Sequence, residues 1–146
     1  MNIAVILAGG SGTRLGNDIP KQFLKVAGKK VLEHTIEVFE NAKNIDEICI
    51  VSRIDCITDV ESIVVNNGYL KVKKILAGGK ERYDSSLAAI HAYPNGNHNL
   101  LFHDAVRPLL TERIINDCLS ALEKYNAVDV AIKTTDTIIQ VDEQKC

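Results

Sequence analysis

The sequence predicts an α/β fold, a mostly parallel sheet with helices packed on both sides. Three observations predict it. The strand candidates are short, continuous apolar runs, as expected of strands buried on both faces. The stretches between them carry apolar residues at helical spacing. The two kinds of segment alternate along the chain, which implies right-handed crossovers and places the strands parallel.

Ile3 to Leu7 is the first such run, stopped by glycine. "VLEHTIEVFENA" sets Val31, Leu32, Thr35, Ile36 and Phe39 at helical spacing, and Gly28 ends the turn before it. Glu47 to Val51 is rich in β-branched residues and reads as the second strand. Residues 57 to 66 form the next helix, ended by "NNG", and Val72 to Leu76 a third strand leading into Gly78-Gly79. Arg82 to Ala92 is helical, "PNGNHN" is a turn cluster, and Leu100 to His103 is another buried strand. A helix follows from Thr111 to about Tyr125, with Thr111 placed to cap it, Glu112 at its positive end, and Ile114, Ile115, Cys118, Leu119 and Leu122 on one face. Val128 to Ile132 and Thr137 to Val141 are expected to close the chain as strands.

With 146 residues, one domain around one hydrophobic core is expected. Apolar residues make up 46% and charged residues 25%, ordinary for a soluble globular protein. A net charge of -2 draws the chain to neither nucleic acid nor an anionic membrane, so any cationic site must be local. The four cysteines, Cys49, Cys56, Cys118 and Cys146, contain no C-x-x-C and point to free thiols, hence to a cytoplasmic setting. The apolar start has no basic region before it and stops at glycine too early for a leader or a membrane span.

Ligands of an open α/β sheet sit outside the carboxyl ends of its strands. Four unusual segments fall at such ends: "AGGSGTR", "GGKERYDSS", "HDAVRP" and "TTDT". In the first, glycines permit positive φ and close approach of backbone N–H groups to phosphate oxygens. The spacing of Gly10, Gly12 and Gly16 misses the dinucleotide fingerprint by one residue, and no acidic partner for a ribose ends a strand about 20 positions further on. A nicotinamide dehydrogenase is therefore the weakest reading, and the Walker pattern is absent as well. What distinguishes the loop is Arg14 followed by Pro20-Lys21. A triphosphate bears about four negative charges and develops more when its α-phosphorus is attacked, so fixed cations lower that barrier. The competing reading is a tight turn with two solvated cations.

Asp104, at a strand's carboxyl end in "HDAVRP", can accept a hydrogen bond from a ribose or sugar hydroxyl, or help place a metal that prefers hard oxygens. Arg107 offers a planar fork to a phosphate or to Asp104 itself, and a purely structural Asp–Arg pair is the alternative. His103 reads as a packed histidine in preference to a base. The alternative for Ser85 is a helix-start hydroxyl bonded to its own backbone.

"LAGGSGTRLG", "PKQF", "GGKERYDSS", "HDAVRP" and the later "DT" stand in the order and spacing of the cytidylyltransferases that activate sugar-alcohol phosphates, and over nearly its whole length the chain resembles that family, the methylerythritol 4-phosphate and ribitol 5-phosphate enzymes. The resemblance implies a Rossmann-like three-layer sandwich of the nucleotide-diphospho-sugar transferase type, with CTP as nucleotide and Mg2+ bridging its phosphates. It implies that Ala8, Gly9, Gly10 and Gly12 border the nucleotide, that Arg14 and Lys21 hold the triphosphate and stabilise the pentavalent phosphorus, and that Gly79, Lys80 and Ser85 flank base and ribose, with Asp104 beside them. Lys80 departs from the acidic residue that erythritol-type members often carry there. Arg107, Asp136 and Thr137 fall on the segments that contact the second substrate. "LAGG", Val106 and "LLTERII" look more like the ribitol 5-phosphate branch, which feeds teichoic acid or polysaccharide synthesis, than the isoprenoid branch. Family members continue past the position of Cys146, so residues 1–146 are expected to be a single nucleotidyltransferase domain truncated at its C-terminus, lacking much of the family's homodimer interface. A truncated module that binds nucleotide without turnover is the second reading.

Replacing Arg14 or Lys21 by alanine is expected to lower cytidylyl transfer by about 10²-fold or more, as loss of a charge-stabilising group does, with the circular dichroism spectrum unchanged. Full activity in either variant would remove the assigned role.

Overall fold

Residues 1–10 and 19–133 are described by the computed structural model. The strands are β1 (Asn2–Ala8), β2 (Lys25–Val26), β3 (Lys29–Lys30), β4 (Glu47–Ser52), β5 (Val72–Ala77) and β6 (Asn99–Asp104). The helices are α1 (Val31–Asn41), α2 (Ile57–Asn67), α3 (Arg82–His91) and α4 (Glu112–Leu122), with short 3-10 turns at Lys21–Phe23 and Ile54–Cys56.

Four strands form one sheet in the order β5-β4-β1-β6, every pair parallel. β1 is central because its apolar run has somewhere to go on both faces: Ile3 to Ala8 are all buried. Its even positions, Ala4, Ile6 and Ala8, join Leu32, Ile36 and Phe39 of α1, Val60 and Ile63 of α2, and Ile115 of α4. Its odd positions, Ile3, Val5 and Leu7, join Cys49, Val51 and Ala89 of α3 on the other face. The expected three layers are therefore present, and α3 alone among the described helices covers the second face. Burial pushes the Cys49 thiol up to about 11, so it packs as an inert apolar group. Cys49, Cys56 and Cys118 are free thiols.

From β1 the chain steps outward to β4 and β5, then returns past both to place β6 on the other side of β1. The direction of winding reverses between β1 and β6, and such a reversal opens a crevice at the strands' carboxyl ends. The registers Ala8↔Ser52 and Leu7↔Asp104 bring those ends level.

The structure departs from the sequence reading in four places. A β2–β3 hairpin was not anticipated; Ala27 (φ 50) and Gly28 (φ 86) make its two-residue turn, which needs positive φ at both positions. Thr111 occupies the start of α4, but its side chain makes no capping bond. The helix ends at Leu122, after which the amides of Lys124 and Tyr125 donate to the Ala121 carbonyl. Residues 128–133 form no strand, and Val128, Val130 and Ile132 are 38%, 63% and 94% exposed. β propensity expresses itself only against a partner edge and a packed face, and among the described residues this segment has neither. The strand expected at Thr137 to Val141 lies outside the described residues. No described helix is long and apolar enough to cross a membrane.

One side chain fixes where the chain returns to the sheet. Gln22 is 1% exposed, and its Nε2 donates to the Ala8 carbonyl at 2.9 Å. The turn carrying Lys21 is thereby anchored to the end of β1. Replacing Gln22 by leucine is expected to cost about 1–2 kcal/mol through loss of this buried bond, read as a lower urea midpoint at unchanged m-value.

Candidate active site

A cavity of about 540 Å³ opens at the carboxyl edge of the sheet. Six of the residues singled out from the sequence line it: Gly9, Gly10, Gly79, Lys80, Ser85 and Asp104. They come from the ends of β1 and β6, from the β5–α3 loop and from the first turn of α3, segments brought together only by the β5-β4-β1-β6 order. Ala8 stands just behind them, 2% exposed, its carbonyl taken by Gln22. Lys21 and Arg107 are not in the cavity wall. Gly12, Arg14, Asp136 and Thr137 lie outside the described residues.

The glycines divide into two kinds. Among the described glycines, positive φ occurs at Gly28, Gly68 and Gly96 and not at Gly9 or Gly10. Among the described residues, a Cβ on Gly10 would meet no atom within 4 Å. Gly79 is constrained by the protein itself, because a Cβ there would stand 2.1 Å from Cβ of Asp84. Asp84 has a fixed position: its Oδ2 accepts the Glu81 amide at 2.9 Å and starts α3. The Gly78 amide donates to the Ser52 carbonyl at 2.7 Å, securing the same loop to β4. These constraints turn the positive end of α3 toward the cavity, a favourable setting for an anion.

Ser85 is 5% exposed, and its Oγ lies 3.4 Å from the Glu81 carbonyl one turn back. That bond to its own helix is the alternative weighed from the sequence. The same Oγ would stand 3.6 Å from a Cβ added at Gly9, so the space beside that glycine faces Ser85.

Three cations that sequence reasoning had left wholly or partly without a role surround the space. Lys80 lines the wall as expected, while Arg53 and Arg82 were missed. Arg53 follows β4 and pairs with Asp55 through Nε at 3.0 Å and through Nη2, which draws the Asp55 carboxyl below its usual range. The only hint of Arg53 was its place just beyond a strand's carboxyl end. Arg82 sits inside the quoted "GGKERYDSS", where no motif logic distinguished it. The acids facing these cations are Glu81 and Asp104.

Asp104 is bracketed. Its Oδ1 accepts a hydrogen bond from Arg82 Nη2 at 3.2 Å, and its Oδ2 forms an ion pair with Arg107 Nε at 3.0 Å. The Asp–Arg pair considered from the sequence is thus present, with a second guanidinium added. His103 packs edge-on against Phe39, ring centroids 5.6 Å apart, and its Nε2 is 2.9 Å from the Arg107 carbonyl. It behaves as a packed histidine.

Asp104, ion-paired through each oxygen with a guanidinium, has its negative charge already offset, which disfavours a metal cation on it. Among the described residues no group of three or more His, Cys, Asp or Glu side chains is placed to hold a metal ion. What the wall offers is hydrogen-bond donors and a surplus of positive charge, the means of holding a polyanion.

Comparison with known proteins gives a consistent result. The family model described as "IspD: 2-C-methyl-D-erythritol 4-phosphate cytidylyltransferase" matches residues 2–146. The bifunctional ribulose 5-phosphate reductase/CDP-ribitol pyrophosphorylase Bcs1 of Haemophilus influenzae is 52% identical over 143 residues, covering 97% of this chain and 30% of that protein. The 2-C-methyl-D-erythritol 4-phosphate cytidylyltransferase of Thermobifida fusca is 40% identical over 140 residues, 94% of this chain and 56% of that one. The crystal structure of 4-diphosphocytidyl-2C-methyl-D-erythritol synthase from Anaerococcus prevotii superposes with a TM-score of 0.82 at 31% identity, covering 99% of this chain and 60% of that one. The chain thus spans less than two thirds of each of these relatives.

The two kinds of glycine are separable by experiment. Gly79→Ala is expected to destabilise by about 1–3 kcal/mol through overpacking against Asp84, whereas Gly10→Ala is expected to stay within about 0.5 kcal/mol of the parent. Urea denaturation of both variants checks the contrast.

Proposed function

Since this chain belongs to the 2-C-methyl-D-erythritol 4-phosphate cytidylyltransferase family, we propose that it transfers CMP from CTP to a sugar-alcohol phosphate, D-ribitol 5-phosphate in preference to 2-C-methyl-D-erythritol 4-phosphate. The observation that carries the reading is the cavity at the reversal point between β1 and β6, which gathers the first loop, the start of α3 and Asp104 around one anion-sized space. Preference for ribitol is supported by the 52% identity to a relative named as a CDP-ribitol pyrophosphorylase, against 40% to one named for methylerythritol phosphate.

In this reading residues 1–146 are a nucleotidyltransferase domain. An ionised oxygen of the acceptor's phosphate attacks the α-phosphorus of CTP. A new P–O bond forms, the bond to the bridging oxygen breaks, and that oxygen leaves with its electron pair as pyrophosphate. No proton has to move, so no general base is needed. The protein's task is to orient two mutually repelling anions and offset the charge that builds up as they meet. Backbone groups of Ala8, Gly9 and Gly10 border the nucleotide. Gly79, Lys80 and Ser85 lie along base and ribose, and Asp104 accepts a ribose hydroxyl. Lys80 can only donate, so the acceptor role at the ribose falls to Asp104. Arg14, with Lys21 anchored beside β1 by Gln22, meets the triphosphate. Arg107, Asp136 and Thr137 serve the alcohol phosphate. A divalent cation such as Mg2+, when bound, supplies further charge neutralisation at the phosphates; it would arrive on the triphosphate and not on Asp104.

Wild-type protein incubated with CTP and D-ribitol 5-phosphate is expected to release pyrophosphate and form CDP-ribitol, faster than with 2-C-methyl-D-erythritol 4-phosphate. The reverse order of rates would move the acceptor to the isoprenoid branch. Thermal stabilisation by CTP with no product from either acceptor would make the chain a nucleotide-binding module instead.

A further inference from the structure

The unassigned residue with the most specific geometry is Arg82. It is the first residue of α3, at the positive end of the helix dipole, where a cation is disfavoured. Its Nη2 nevertheless reaches Asp104 Oδ1 at 3.2 Å, joining the loop after β5 to the end of β6, the outer strands of the described sheet, above the end of β1. Stability does not account for the pair. The Arg82 side chain is 67% exposed, and an ion pair so open to water adds little to folding. Both partners line the cavity. A guanidinium carries five N–H donors, and among the described residues the Arg82 side chain bonds only to Asp104.

The geometry points to Arg82 as the positioning residue of this site, holding the Asp104 carboxylate where it accepts a ribose hydroxyl of the bound nucleotide. The inference rests on the reading of the cavity as the CTP site. Arg107 pairs with the second oxygen, so each oxygen of the carboxylate faces a guanidinium. A carboxylate so held still has lone pairs for a hydroxyl, because each oxygen accepts more than one hydrogen bond.

A double-mutant cycle on CTP affinity tests the assignment, with calorimetric titration of CTP into wild type, Arg82→Ala, Asp104→Asn and the double variant. Arg82→Ala is expected to weaken CTP about tenfold in the wild-type background and less than about twofold beside Asp104→Asn, the signature of one residue acting through the other. All melting temperatures are expected to match, and Arg82→Lys, which keeps the charge without the fork, replaces the alanine variant in the cycle if that one fails to fold. Unchanged affinity in Arg82→Ala, or an equal loss in both backgrounds, overturns the positioning role while leaving the transferase reading intact. Failure of the wild type to bind CTP overturns both. CTP binding without turnover retires the transferase reading alone, and the cycle then still decides for or against Arg82.

Discussion

Everything in this molecule is referred to β1, a strand buried on both faces and paired on both edges. A segment with no exposed side leaves its neighbours no choice of position. α1 and α4 must cover one face, α3 the other, and β4 and β6 must flank it in register. The carboxyl end of such a strand is also the one place where the central backbone emerges from the core. Gly9 and Gly10 therefore meet the cavity with their positions already set by burial several residues earlier. Rigidity of this kind would suit the proposed reaction, in which two anions are brought together, since a loosely held loop would forfeit much of the advantage of proximity.

The cavity's electrostatics rest on internal pairing. Arg53 is neutralised by Asp55, and Asp104 is shared by Arg82 and Arg107. Fixed pairs keep the cations from folding back onto the surface and keep the acids from repelling a polyphosphate. The remaining positive surplus is small on the scale of the chain, whose net charge is -2, and is confined to the edge of the sheet. The start of α3 adds partial positive charge without adding a side chain.

Local pattern made most of the scaffold legible. The four sheet strands and four helices were readable because each is specified by neighbours a few positions away: β-branched runs, apolar residues at helical spacing, and a Gly68 in the left-handed conformation that stops α2. The misreadings share a cause. Residues 128–133 carry a strand's composition without a described partner. The β2–β3 hairpin is two residues on a side, too short for periodicity to register, and its turn uses Ala27 where a glycine or asparagine is the usual signal. Gln22 is a polar residue in a polar-looking loop, and nothing in its surroundings announces that it is buried against Ala8.

By itself the sequence determined the α/β class, the order of its elements and three of the segments whose residues line the cavity, because hydrophobic period and turn residues are local properties. Only the tertiary structure decided which loops face one another. Parallel pairing between residues far apart in the chain set the order β5-β4-β1-β6, and that order alone brought Arg53, Arg82 and Asp104 to one cavity. Whether an arginine is solvated or paired with a carboxylate 22 positions away depends on that long-range geometry, and no short window of residues contains it.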